Sequence, residues 1–270
     1  MDRCSHPRCR HLPLLLTLLL GAAALLHGPI AQLENYHAFA DRLTLLGIPH
    51  ALDVLSNLGF AAVALWGLWR LAPRRRSHFA LSWPGYALFL AGLLLTALGS
   101  SWYHLAPDDH RLLWDRLPIA LASAGLLAGV WADCRQRDSR ACAALLGLAA
   151  LAGVLWWYLG ALIGSGDLRP YLLLQLLTVL LIPLWQWLYD RPRGERLAFA
   201  AALGLYVLAK CAELLDHPLA TLLAPLTGHT LKHLLSTAAT AVVVAQLARR
   251  APLASAAGAV APSPHNANTH

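Results

Sequence analysis

His229 and His233 stand four residues apart in the run Gly228-His-Thr-Leu-Lys-His-Leu-Leu-Ser236, where a long apolar stretch begins. On an α-helix, residues i and i+4 share a face, so both imidazoles can aim at one point. Ionisable side chains inside a membrane-spanning segment are expensive and mark functional sites. A third imidazole, His104, closes one apolar block, and a carboxylate, Asp115, opens the next. Three histidines suit a catalytic zinc ion, which typically keeps three protein ligands and one open position for water. Zinc lowers the pKa of that water to about 7, which gives a nucleophile at neutral pH. Asp115, outside the ligand set, can accept the water's proton and deliver it to a leaving group. Ser100 precedes His104 by one turn and can donate to the zinc-bound water or to a developing oxyanion.

These residues need elements to hold them, and the composition says which. The chain is 58% hydrophobic and 13% charged, with mean hydropathy +0.53. Apolar runs of about 18 or more residues read as transmembrane helices. Seven such spans are predicted, near residues 53–72, 80–103, 111–133, 141–163, 171–189, 197–215 and 230–248. The fold class is therefore all-α, a multi-pass transmembrane bundle of seven helices. An eighth apolar run, Leu12 to about Leu26, follows a basic start and reads either as a cleaved signal peptide or as an anchor helix. The domain reading is 1–27 for that segment, 28–250 for the seven-helix membrane domain and 251–270 for a disordered tail rich in Ala, Ser, Pro and Asn.

The formal charge of +7 comes largely from arginines in short loops. Pro73-Arg-Arg-Arg76, Arg135-Gln-Arg-Asp-Ser-Arg140 and Arg191-Pro-Arg-Gly-Glu-Arg196 alternate with loops of low positive charge. That pattern orients a membrane protein and implies no nucleic-acid partner. With the Arg-rich loops inside, His104, Asp115, His229, His233 and Ser56 all fall near the outer leaflet. Residues 28–50 read as an amphipathic surface loop with some helix. None of the five cysteines pairs obviously across an outer loop, so no disulfide is predicted.

Plainer readings exist for each residue. A histidine at a helix end is often a cap, and a His-x3-His pair also suits haem ligation or a proton relay. Asp115 in a first turn favours the helix dipole without any catalysis. Ser100 can bond its own backbone. Lys210, Glu213 and Asp216 lie at near-helical spacing at the outer end of the sixth span. They read as a snorkelling lysine with an interfacial ion pair, or as groups behind the metal site touching a lipid head group.

Taken together and in order, three motifs resemble those of the alkaline ceramidases. Gly99-Ser-Ser-Trp-Tyr-His104 followed by Trp114-Asp-Arg-Leu-Pro118 is similar to the family's Ser-x3-His and Asp-x-Leu-Pro, and His229-x3-His233 to its last-helix pair. Asp53-Val-Leu-Ser-Asn57 looks like its first short element, and the likeness runs over about residues 34 to 248. The family belongs to a superfamily that includes the progestin and adipoQ receptors.

The resemblance implies a seven-helix fold with zinc held by His104, His229 and His233. Ser100 and Asp115 would contact the zinc-bound water. The implied reaction hydrolyses the N-acyl bond of a ceramide-like membrane lipid to a fatty acid and a sphingoid base. The eukaryotic enzymes also bind calcium through an acidic N-terminal segment. Here that segment offers only Glu34, Asn35 and Asp41, and His50 stands near where an acidic residue is expected, so this chain looks like a bacterial relative. Two other readings remain at this stage. One is a receptor or regulator of the same superfamily that keeps zinc without turnover, and the other is a haem-binding membrane electron carrier.

Overall fold

The computed structural model describes residues 9–250; the segments at 1–8 and 251–270, including Cys4 and the tail read as disordered, lie outside the described residues. Apolar blocks separated by Pro, Gly and Arg become helices throughout. They are α1 (Leu12–His27), α2 (Ala51–Ser56), α3 (Leu58–Leu71), α4 (Trp83–Leu105), α5 (Asp109–Arg135) and α6 (Arg140–Leu162). Then follow α7 (Arg169–Leu188), α8 (Arg193–Leu214), α9 (Asp216–Leu223) and α10 (Gly228–Arg249). Seven spans are long and apolar enough to cross a membrane, with α2, α3 and a 3-10 turn at Ala72–Arg74 forming the first. Their bounds lie within a few residues of those read from the sequence.

Three local features depart from the sequence reading. The first span is interrupted at Asn57, whose side-chain amide donates to the carbonyl of Asp53 (2.8 Å). Residues 217–227, read as a loop, contain most of α9 instead. The chain breaks after Leu214 and restarts with Asp216 in the first turn of a new helix. Among residues 28–50 no helix forms. That segment folds back across one end of the bundle and buries Phe39 and Asp41 there, so it is a cover rather than a surface loop.

The tightest helix pairs are α4 with α5 and α8 with α10. Small residues let the backbones of α4 and α5 approach: methyl groups added at Gly85, Gly92 or Gly99 would overlap the backbone of α5 at Gly129, Ala122 and Trp114. Without water to drive apolar association inside a bilayer, such close backbone packing holds helices together. The Gly99 contact has a further cause. Pro118 has no N–H, so the carbonyl of Trp114 loses its helical partner four residues on. Gly99 of α4 lies directly against that carbonyl. The apolar core runs between α3, α4, α5, α7, α8 and α10, from Phe60 and Phe89 through Leu127 and Ile182 to Leu247.

Candidate metal centre

The α4–α5 contact fixes His104, at the end of α4, beside the first turns of α5, where Asp115 and Arg116 point inward. The start of α10 is fixed as firmly. Thr227 caps it by accepting from the amide of Thr230 (3.1 Å), and Gly228 sits where a side chain would strike the carbonyl of Ala212 in α8. Asp216 adds a second cap, accepting from the amide of His229 (2.7 Å). Its other oxygen accepts from the amide of Ala40 (2.8 Å), which ties the 28–50 segment to α10.

These constraints bring His104, His229 and His233 together. All three are buried, and one nitrogen of each lies within 4.8 Å of the others. Their ring centroids are separated by 4.8 Å (104–229), 5.0 Å (104–233) and 4.8 Å (229–233). No other group of three or more His, Cys, Asp or Glu residues with this geometry occurs among the described residues. Phe39 lies over the cluster, its ring 4.7 Å from His104 and 4.3 Å from His229.

The donor chemistry fits a divalent transition-metal ion. Imidazole suits zinc and its neighbours, and metal-binding histidines commonly fix their second nitrogen to a polar group. Ser56 is 2.9 Å from Nδ1 of His233, which leaves Nε2 for a ligand role. A carboxylate oxygen of Asp53 lies 4.0 Å from Nδ1 of His104, and both atoms are buried without a hydrogen-bond partner. A modest approach of the two would complete a carboxylate–histidine arrangement. The other Asp53 oxygen is held by the hydroxyl of Thr230 (2.6 Å), so the carboxylate is anchored where the histidine needs it.

Below the histidines a cavity of about 550 Å³ runs down between α4, α5, α7, α8 and α10. Ser100, Asp115 and His233 line its upper end, and Phe89, Leu93, Ile182 and Val243 are among the apolar residues further along. Ser100 of α4 and Asp115 of α5 are both buried there. Lys232, between the two α10 histidines, also lines the cavity. Its ammonium is 2.6 Å from Glu213 and 3.3 Å from Nε2 of His229. Glu213 also holds Lys210 (2.7 Å).

Of the residues singled out from sequence, His104, His229, His233, Ser100, Asp115 and Ser56 therefore converge. The Lys210, Glu213 and Asp216 set divides: the first two pair beside the cavity, whereas Asp216 belongs to α9 and grips backbone amides. Glu34, Asn35 and Asp41 do not form one cluster. Glu34 and Asn35 are exposed on a turn, while Asp41 is buried with its oxygens accepting from the amides of Leu43, Leu52 and Asp53 at 2.9–3.0 Å. Asp41 thus caps α2, a role that satisfies open amides at a helix start. Sequence reasoning passed over Phe39, Lys232, Arg116 and the role of Asp53. A carboxylate opening an apolar span and a lysine between two histidines were the available signals. Comparison with family models, curated proteins and solved structures gives no match to this chain.

Proposed function

We propose that this chain is a zinc-dependent hydrolase of the membrane that cleaves the N-acyl bond of a ceramide-like lipid, in the manner of the alkaline ceramidases it resembles. The observation that carries this reading is the buried three-histidine group, whose His233 lines a largely apolar cavity that also presents Ser100 and Asp115. A cavity of that size and lining suits an acyl chain, and a lipid lying in it would present its amide at the histidine end. A bound zinc ion would supply Lewis acidity toward the amide carbonyl and an activated water.

The chain's own groups then divide the work. Ser100 would donate to the oxyanion that develops on the acyl carbonyl. Asp115 accepts the proton released as water adds to the acyl carbon and delivers it to the nitrogen as the C–N bond breaks. The products are a fatty acid and an amine. Phe39 and the 28–50 cover keep bulk water from the histidines, which strengthens electrostatic interactions there.

The Arg-rich loops lie at the opposite end of the helices from the histidines. By the positive-inside rule the site faces outward, and the short loops and Ala/Leu/Arg bias suit a bacterial inner membrane. A haem reading is disfavoured by spacing, because centroids 4.8–5.0 Å apart leave no room for a porphyrin between any two rings. Lipid mass spectrometry after incubating the purified, zinc-loaded protein with ceramides and other N-acyl lipids tests the proposal. Fatty-acid release from at least one is expected; release from none would favour a zinc-containing receptor.

A further inference from the structure

One charged side chain on the cavity wall has no part in the proposed chemistry. Arg116 follows Asp115 on α5 and is only 3% exposed. Its guanidinium lies 4.1 Å from the centroid of Trp157, 5.0 Å from that of Tyr36 and 5.7 Å from that of Tyr171. Trp157 backs the group, while Arg116, Tyr36 and Tyr171 all line the cavity. The rings offer cation–π attraction but no hydrogen-bond acceptor matched to a guanidinium fork. Nη1 is buried with no hydrogen-bond partner among the described residues. A charged group left in this state inside a membrane protein is costly, and a bound anion removes that cost.

The neighbouring charges do not supply the anion. Glu213 is engaged by both Lys210 and Lys232, and Nη1 of Arg116 meets no carboxylate within hydrogen-bond distance. This wall therefore presents three cations, Arg116, Lys210 and Lys232, against two carboxylates, Asp115 and Glu213. Arg116 is the cation left to a ligand. Arg116 and Asp115 line the same cavity, so one bound lipid can meet both.

We infer that the amine half of the bound N-acyl lipid carries an oxyanion, a carboxylate or phosphate, which the Arg116 fork binds. This rests on the reading of the cavity as an N-acyl lipid site. It sharpens the substrate class from a neutral N-acyl amino alcohol to an anionic N-acyl lipid.

The test uses zinc-loaded full-length protein in detergent and three lipids with the same oleoyl chain. These are N-oleoylglycine, N-oleoylaminoethyl phosphate and the neutral N-oleoylethanolamine. Equilibrium binding is measured by titration calorimetry, with fatty-acid release followed in parallel. At least one anionic lipid is expected to bind tenfold or more tighter than the neutral one, and the tighter of the two identifies the oxyanion. Arg116→Gln should bring that ratio close to one, and Arg116→Lys should leave it intermediate, since a lysine keeps the charge but loses the fork. Equal or tighter binding of the neutral lipid by wild-type protein overturns the inference and needs no variant to do so. A preference that survives Arg116→Gln removes Arg116 from it. Hydrolysis of none of the three, or of any ceramide, would count against the proposed activity, while the binding ratio still decides the oxyanion.

Discussion

The two ends of the helix bundle treat buried charge differently. At the end away from the histidines, every carboxylate among the described residues meets a cation or a phenol. Arg191 holds Glu195 through two bonds (3.0 and 2.9 Å), and Arg250 pairs with Asp133 and reaches Glu195. Tyr86 donates to Asp133 (2.5 Å), and Arg74 bonds the carbonyls that end α10, Ala248 and Arg250 (2.8 and 2.6 Å). At the histidine end Glu213 and Asp167 also meet cations, but Asp41, Asp53 and Asp216 grip amides and hydroxyls instead. Polar atoms of Asp53, His104 and Arg116 are left buried and unpartnered. At the first end the charges pair with one another, although Nε and Nη2 of Arg250 also lack a hydrogen-bond partner. At the histidine end the unpartnered atoms belong to the proposed metal and lipid sites, where a ligand can satisfy them.

The contrast can be broken in graded steps. Asp115→Asn should lower turnover by about a hundredfold or more, the scale of lost general acid–base catalysis, with zinc content unchanged. Steady-state fatty-acid release beside metal analysis checks this, and unimpaired turnover would leave Asp115 with only a structural role. At the other end, Glu195→Gln breaks a buried ion-pair network and should cost about 3–5 kcal/mol of stability. Its thermal transition should fall while zinc stoichiometry stays at wild-type level; loss of zinc would show that the two ends are coupled.

Ser56→Ala should weaken zinc binding by about tenfold, the lower range for removing a group that orients a metal-binding histidine. Competition with a chromogenic chelator measures it, and an unchanged affinity would mean that Ser56 does not orient His233. The smallest change belongs to Asp167, in the loop between α6 and α7. Burial works against its charged form. Even so, bonds from the Arg169 side chain and amide, the amide of Ile30 and the indole of Trp156 hold its carboxyl well below the ordinary carboxylate range. A depressed carboxyl contributes stability that is complete above its unfolded pKa and is lost as pH falls through the folded value. Asp167→Asn should therefore lose on the order of 1 kcal/mol at neutral pH, with cleavage in the 28–50 segment rising under limited proteolysis. The difference from wild type should shrink only in strong acid.

The seven spans were legible because an apolar block of bilayer length has few alternatives to a helix. The histidines were legible for two reasons: i, i+4 spacing places His229 and His233 on one face, and alternating loops carry His104 to the same end. What the sequence hid depends on the chain folding back. Asp41 looked like a loop oxygen donor, and only the return of residues 28–50 over the bundle makes it the cap of α2. Phe39 gave no local signal that it would cover the imidazoles. Asp216 shared a spacing with Lys210 and Glu213, but the break after Leu214 turned it toward His229. Arg116 occupied the variable place in Asp-x-Leu-Pro, and its significance lies in three aromatic rings from distant parts of the chain.

The reading rests above all on three histidines holding one metal ion. Zinc per chain, measured by mass spectrometry of the purified protein beside His233→Ala, addresses that most directly. One equivalent in wild type and almost none in the variant, with both remaining folded by circular dichroism, is the expected result. A full equivalent retained by His233→Ala would contradict it.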